Sequence, residues 1–379
     1  MIAVIADDIT GAAEIGGIAL RYGKKTVMTT QLDGRLPQAD VLVVATDTRS
    51  DTEAGAAGTV RQIARRLKGS GAAIFKKTDS VMRGHVAAEI KAIMAETGHT
   101  GALLLPQNPS KGRTIKDGVY YVGGVRLSDT AFGRDPEYPA LTSSAAGLLG
   151  GAAAPLAVGG APAPGCAIHI ADAGSADDIR AQLAKAGRAT LLAGGADLFE
   201  SVVAAGSPPR PCVPAALPPA GRVLVICGST QGTSPAGEPY IRSLGGCEAA
   251  MPAEVFHGGN PAPWAEALAR LYKSHRALIV GIGRKENMGP AYASRLRLTM
   301  ADVAATLVGR GSPDIMAIEG GATAYAIMQR LGWHSLTLRA EYSPGVVGMV
   351  HNATEIILKP GSYPWGSIFS AHYAQKLQK

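Results

Sequence analysis

Ile2-Ala3-Val4-Ile5-Ala6-Asp7-Asp8-Ile9-Thr10-Gly11-Ala12 opens the chain, and its reading decides the fold. Five apolar residues without a polar break predict a strand buried on both faces, the habit of parallel sheets covered by helices. Two aspartates end the strand, and the small-residue stretch over 11–22 predicts a helix packed close to it. The same alternation continues outward. Residues 25–30, 41–46, 72–76 and 102–106 read as strands, and 52–68 and 85–97 as helices. Strand–helix alternation of this kind predicts an α/β domain with a largely parallel sheet. Residues 144–165, rich in Ala, Gly and Pro, read as a weak helix followed by a loop. A strand is expected at 166–171 and a helix at 175–186, opened by Ser175 with Asp177 and Asp178 in its first turn. Residues 191–204 continue this domain.

Ser207-Pro208-Pro209-Arg210-Pro211-Cys212-Val213-Pro214, with Pro218-Pro219 beyond, suits neither a helix interior nor a central strand. It reads as a linker over 207–221 between an N-terminal domain (1–206) and a C-terminal domain (222–379). Beyond it the alternation restarts, with strands at 223–227, 277–281 and 315–318. Helices are expected at 235–244, within 291–308, and at 322–331. The expected fold class is therefore α/β, two domains, each a largely parallel sheet flanked by helices.

A chain of 379 residues exceeds what one core normally serves. With 46% hydrophobic and 18% charged residues it is globular rather than disordered. The formal charge of +7 comes from scattered basic residues. The densest group, Arg61, Arg65, Arg66 and Lys68, has the spacing of a solvated helix face, and little aromatic residue is interleaved to stack bases. Small anions are the expected partners, with no nucleic acid and no membrane. Cys166, Cys212, Cys227 and Cys247 show no C-x-x-C spacing and read as buried, reduced thiols. No secretory signal and no apolar run of spanning length is present, so a cytoplasmic location is expected.

Polar clusters follow four of the predicted strands in the first half: Asp7-Asp8-Ile9-Thr10-Gly11, Thr46-Asp47-Thr48-Arg49, Lys77-Thr78-Asp79-Ser80-Val81-Met82-Arg83-Gly84, and residues 107–114 with Arg113. Ligands of open α/β sheets bind outside the carboxyl ends of strands. Each cluster alone has a plain reading, Asp7-Asp8 as a helix cap and Arg83 as a surface ion pair. Together they place Arg49, Lys77, Arg83 and Arg113 with Asp7, Asp8, Asp47 and Asp79, the groups that bind a carboxylate and hold hydroxyls. In the second half, Gly228-Ser229, Gly281-Ile282-Gly283 and Gly320-Gly321-Ala322-Thr323 follow strands, and Ser343-Pro344-Gly345 and Lys359-Pro360-Gly361 form later turns. Bare backbone amides at helix starts bind phosphate, although tight packing explains a Gly-Gly pair as well. Neither a G-x-G-x-x-G nor a P-loop motif is present in these loops, no Cys/His metal cage is visible, and the metal ligands are unknown from sequence.

These residues resemble the four-carbon acid sugar kinase family. Asp7-Asp8-Ile9-Thr10-Gly11-Ala12 is similar to the family's opening motif, and Lys77-Thr78-Asp79-Ser80-Val81-Met82-Arg83-Gly84 to its K-x-D-S-x-x-R-G signature. Gly112-Arg113-Thr114, Gly118-Val119-Tyr120-Tyr121-Val122 and Asp135-Pro136 continue the likeness. The resemblance implies an acid-binding N-terminal domain and an ATP-binding C-terminal domain, with the active site in the cleft between them. It implies transfer of the ATP γ-phosphate to threonate, erythronate or a 3-oxo-tetronate, at O4. By match, Asp8, Arg49, Lys77, Asp79, Ser80 and Arg83 fall on the acid side; Ser229, Gly281, Gly320, Gly321, Gly345, Lys359 and Gly361 fall on the nucleotide side. Two departures lie in the nucleotide half. Ala322 stands where the family carries Glu, and Lys359-Pro360-Gly361 stands where it carries Lys-Ser-Gly.

The expected mechanism is in-line phosphoryl transfer governed by positioning and charge neutralisation, with Mg²⁺ on the ATP phosphates. Asp8 is the preferred proton acceptor, Asp79 the other candidate; Arg49, Arg83 or Lys77 would clamp the carboxylate, and Thr323 belongs with the nucleotide loops. A catalytically impaired regulator of the same fold is the alternative, favoured by Ala322. A sugar-phosphate lyase or isomerase on a similar sheet is a further rival. A homodimer is compatible with either reading.

Overall fold

The strand and helix predicted at the chain's start form as β1 (Ile2–Ala6) and α1 (Ile9–Arg21). The structure, a computed structural model, describes residues 1–379 except 136, 205–207, 210–216, 218–220, 230–234, 236–237, 285, 287–288, 362–364, 366–367 and 370–379. Most of the expected linker, Cys212, Thr230 and part of the helix expected at 235–244 lie outside the described residues. Packing divides the chain into two units, Met1–Arg210 and Pro211–Lys379.

In the first unit α1 is followed by β2 (Thr26–Thr29), β3 (Val41–Ala45), α2 (Glu53–Leu67), β4 (Ala73–Lys77), α3 (Val86–Thr97) and β5 (Gly101–Leu105). Then come β6 (Arg113–Lys116), β7 (Val119–Val122), β8 (Val125–Arg126), β9 (Ala154–Leu156), β10 (Ile168–Ala171), α4 (Ala176–Ala184), β11 (Thr190–Gly194) and α5 (Ala196–Val203). The strands lie in the order β2-β3-β1-β4-β11-β5-β10-β9, each neighbouring pair parallel. The order reverses at β1: the chain leaves to one side through β2 and β3, then crosses to β4 on the other. Such a reversal opens a crevice at the carboxyl ends of the strands.

Helix α2 shows how the sequence covers this sheet. Thr52 caps it by accepting from Gly55 N at 3.1 Å, and its buried residues Ala56, Val60, Ala64 and Leu67 recur at helical spacing. Val60, Ala64 and Leu67 pack with Ile90 and Ile93 of α3 against Ala3, Ile5, Leu42 and Val44 of the sheet. Full burial of each Val, Leu or Ile contributes about 1.5–3 kcal/mol. Arg65 lies on the solvated face, paired with Glu96 at 2.9 Å.

Two expectations are corrected here. Residues 144–165 hold no α-helix; a 3₁₀ turn at Gly147–Leu149 ends at Gly150 (φ 60°) and Gly151 (φ 76°), and β9 follows. The strands β6, β7 and β8 form an antiparallel sheet that the sequence reading did not anticipate. Its turns are Asp117-Gly118 (φ 50° and 72°) and Gly123-Gly124 (φ 58° and 82°), dipeptides that favour two-residue hairpins.

The second unit contains β12 (Val223–Cys227), α6 (Pro239–Ser243), β13 (Cys247–Ala250), α7 (Ala253–Phe256), α8 (Ala262–Ser274), β14 (Ala277–Gly281), α9 (Pro290–Arg310), β15 (Ile315–Glu319) and α10 (Gly321–Leu331). It closes with β16 (Ser335–Ser343), β17 (Val346–His351) and β18 (Thr354–Lys359). The order is β13-β14-β12-β15-β18-β17-β16, parallel as far as β18 and antiparallel in the last two pairings. The α/β class with helix-flanked, mostly parallel strands therefore holds, while β13, β16, β17 and β18 extend what was expected. Cys227 is buried, but Cys166 and Cys247 are only half-buried, correcting the view that the thiols are uniformly interior. Among the described residues no helix is long and apolar enough to cross a membrane.

Candidate active site

Strands β1, β3 and β4 deliver three loops to one crevice, and their side chains meet there. Asp8 caps α1, accepting from Gly11 N at 2.9 Å and from the Thr10 hydroxyl. Arg49, after β3, reaches Asp7 through Nε at 2.8 Å, Asp8 through Nη2 at 2.9 Å, and Asp79 at 3.6 Å. Asp79, after β4, is gripped by Arg83 through Nη2 at 2.9 Å and Nε at 3.1 Å, and by the backbone amides of Val81 (3.1 Å) and Arg83 (3.2 Å). Met82 turns the loop with φ 63°, and Gly84 follows at φ 86° because a Cβ there would press on Arg49.

Electrostatics keeps both carboxylates charged. Burial pushes Asp8 upward, but the charges of Arg49 and Lys77 and its two hydrogen bonds outweigh burial and hold it below the usual carboxylate range. Asp79 is held low as well: burial again opposes, and Arg49 with the Arg83 fork prevails. Burial also works against the Arg49 cation, yet Asp7, Asp8 and Asp79 raise it well above its ordinary value. All three groups are ionised at neutral pH. Asp79 is saturated with donors, whereas the Asp8 side chain keeps 17% exposure.

The expected cations are not equivalent. Arg83 is 33% exposed and also faces Asp135 at 3.5 Å, while Arg49 is 19% exposed. Lys77, at 4%, donates to Thr78 O at 2.8 Å and faces Glu14 at 3.7 Å. Arg113 is occupied by the Ser80 hydroxyl and lies over the Phe132 ring at 5.4 Å. Asp47 adopts φ 54°, and Asp7 is buried with Oδ1 lacking a hydrogen-bond partner among the described residues. Sequence reasoning missed Glu14 on α1, Asp135, and Tyr138, whose hydroxyl donates to the Arg49 carbonyl. Asp135 stands in the recognised Asp135-Pro136 pair and Tyr138 in the same block over 132–139, but neither was given a site role. Glu14 carries no local signal.

In the second unit the glycine turns gather at the carboxyl ends of β12, β15 and β18. Gly228 N donates to Glu319 O at 3.1 Å and Gly320 N to Lys359 O at 2.9 Å, which ties the three strand ends together. A Cβ on Gly228 would stand 2.1 Å from Thr323 Oγ1, and one on Gly361 would stand 3.3 Å from Ser229. Gly320 has φ 98° and precedes Gly321, the first residue of α10. Val347 opposite Leu358 puts the Gly345 turn (φ 79°) at this same edge, and Gly281 ends β14 there in parallel register with Cys227. The edge therefore combines close backbone approach with a helix start at Gly321, a fit for phosphate oxygens. Lys359 is almost fully buried at 3.0 Å from Glu319, and its ammonium lies 5.0 Å from the Trp365 ring centre. Burial raises the Glu319 carboxyl against the lowering effect of Lys359. Arg284, beyond Gly283, was not anticipated; its buried Nε has no partner among the described residues and its guanidinium lies over Phe256 at 5.7 Å. No group of three His, Cys, Asp or Glu able to hold a metal occurs among the described residues.

Comparison with known proteins decides the family. Residues 2–193 match the domain described as Sugar-binding N-terminal domain, and residues 266–363 match Nucleotide-binding C-terminal domain. A D-threonate kinase of Cupriavidus necator is 30% identical over 377 residues, covering 90% of this chain and 88% of that protein. The chain belongs to the four-carbon acid sugar kinase family. As a member of that family it is a phosphotransferase with an alcohol group as acceptor. Within the same family, a 3-oxo-tetronate kinase of Methylobacterium radiotolerans is 28% identical and covers 90% of each chain. The fold is shared with a solved Haemophilus influenzae protein at TM-score 0.75 and 20% identity, covering 99% of this chain and all of that one.

Proposed function

We propose that this kinase transfers the γ-phosphate of ATP to O4 of a four-carbon sugar acid, with threonate, erythronate and 3-oxo-tetronate as the candidate acceptors. The first unit holds the acid and the second the nucleotide. The observation that carries the reading is the crevice at β1, β3 and β4, where a half-open carboxylate, Asp8, stands beside Arg49 and Arg83. The names of the relatives support the acceptor class.

In this reading Arg83, more exposed than Arg49 or Lys77, takes the acid carboxylate by exchanging its long contact with Asp135. Asp47 and the unpaired Oδ1 of Asp7 accept acid hydroxyls. Lys77 acts on Asp8 through its charge. Asp8 accepts a hydrogen bond from the attacking hydroxyl, orients its lone pair and receives the proton late, since a loose phosphoryl transition state demands little from a base. Asp79 cannot serve as well, because its oxygens are already engaged by Arg83 and two amides. The amides of Gly321 and Gly361 receive the nucleotide phosphates, with Gly228, Ser229, Gly281, Gly320, Thr323, Gly345 and Lys359 shaping the edge. Mg²⁺ bound to the phosphates would supply charge neutralisation, and phosphate oxygens and water suit it where no protein carboxylate cluster is needed.

The test is ADP release by the purified protein with Mg-ATP and each tetronate, for wild type and Asp8→Asn. Wild type should release ADP only with an acid acceptor. The variant should lose turnover by about 10²-fold or more while ATP affinity is kept. Undiminished turnover in Asp8→Asn removes Asp8 from this role, and ADP release indifferent to every tetronate removes the acceptor assignment. Nucleotide binding with no ADP release under any condition would favour the regulator reading that Ala322 suggests.

A further inference from the structure

Behind the crevice lies a charged pair that the mechanism above does not use. Successive residues of β4 face opposite sides of the sheet, so Lys77 looks towards Glu14 of α1 while Lys76 points to the α2–α3 side. Lys76 Nζ stands 2.8 Å from Glu89 Oε2 of α3, with side-chain exposures of 0% and 1%. A wholly buried ion pair is weak evidence for stability, since apolar residues of the same size usually serve as well. Its other contact explains it better.

Glu89 Oε1 accepts from the Thr48 hydroxyl at 2.5 Å. Thr46 Oγ1 donates to Thr48 Oγ1 at 2.7 Å, and the Thr46 amide donates to the Ala6 carbonyl at 2.9 Å. This buried relay spans from α3 to the end of β1 and passes through the loop that follows β3. Between the two threonines Asp47 is held at φ 54°, and directly after them Arg49 faces Asp7, Asp8 and Asp79. A left-handed non-glycine residue persists only where its flanks are anchored.

We propose that Lys76 and Glu89 are positioning residues: through Thr48 and Thr46 they set the height and turn of the loop carrying Asp47 and Arg49. Lys76 pairs with Glu89 and aims it, and Glu89 holds Thr48. Neither reaches the crevice. Arg49 is also held by its own amide on Asp7 O at 3.3 Å and by Tyr138 on its carbonyl, so loss of the relay shifts the guanidinium without releasing it.

The inference rests on the acid-binding reading of this crevice, and the experiment separates the two. Thr48→Val removes the hydroxyl at nearly constant volume and leaves the ion pair in place. Lys76→Met/Glu89→Leu removes the pair without stranding a charge. Both should fold, lower kcat/KM for the acid by about 10- to 100-fold through KM, and leave KM for Mg-ATP within about twofold. Both should also speed amide hydrogen exchange across residues 46–51. Lys76→Met/Glu89→Gln restores an acceptor for Thr48 and should recover most of both losses. Wild-type kcat/KM and unchanged exchange in Thr48→Val would overturn the proposal, as would failure of the Gln variant to rescue a folded Leu variant. If wild type phosphorylates no sugar acid, the functional reading fails while hydrogen exchange still decides whether the relay anchors the loop.

Discussion

Arg49→Met tests whether one guanidinium holds the acid-binding crevice together. The substitution keeps most of the aliphatic stem and removes a charge lying 2.8, 2.9 and 3.6 Å from Asp7, Asp8 and Asp79. At an effective dielectric of about 20 each contact is worth roughly 4–6 kcal/mol before desolvation. The carboxylates are only 4%, 17% and 7% exposed, so little solvent screening replaces what is lost. Removing one partner of a buried pair costs about 3–5 kcal/mol net. For a unit of this size that lowers Tm by about 10 °C. The pH dependence carries the sharper signature. In wild type Asp8 and Asp79 lie below their unfolded values, so they add stability above about pH 4 that is lost as pH falls towards their folded values. Without Arg49 the burial penalty gains weight and both carboxyls move up, so protonation relieves the variant first. The Tm deficit should be largest at pH 7.5 and clearly smaller at pH 4.5. Melts followed by far-ultraviolet circular dichroism at both pH values measure it. Tryptophan emission gives a control, because Trp264, Trp333 and Trp365 all belong to the second unit. A deficit that is identical at the two pH values, or below about 2 °C, would refute the account of the crevice.

Two substitutions probe the nucleotide edge. Gly228→Ala drives a Cβ to 2.1 Å from Thr323 and should cost about 1–3 kcal/mol by overpacking; Gly361→Ala, at 3.3 Å from Ser229, should fold normally but raise KM for ATP. Urea unfolding and initial rates separate these outcomes, and equal effects from both would sink the packing argument. Lys359→Met leaves Glu319 buried and unpaired, which should cost about 3–5 kcal/mol in a melt at neutral pH. The Glu319 carboxyl already lies above its ordinary value and would rise further, so the penalty should ease as pH falls, and Lys359→Met/Glu319→Leu should recover the loss. An unchanged melt in the single variant would show that the pair is not needed.

The central strands were legible because residues such as Val41 to Ala45 are apolar without interruption, which a strand covered on both faces requires. The polar loops at the ends of β1, β3 and β4 were legible because their aspartates and arginines end those runs abruptly. The antiparallel strands β6, β7 and β8 went unread although Asp117-Gly118 and Gly123-Gly124 signal hairpins, since the strands are short and half-exposed. Glu89 could not be told from any other helix carboxylate, because nothing local distinguishes a Glu that faces Lys76 from one that faces water.

Strand order of hydrophobicity, capping at Asp8 and the glycine turns all follow from neighbours in the chain, because dihedral sterics and backbone hydrogen bonding act over a few residues. Folding alone settled which charges are consumed and which stay open. Arg113 is taken by Ser80, Lys77 is enclosed beside Glu14, Asp79 is filled by Arg83, and Asp8 retains access. Ion pairing depends on distances of a few ångströms between loops far apart in the chain, and only the parallel sheet brings those loops side by side.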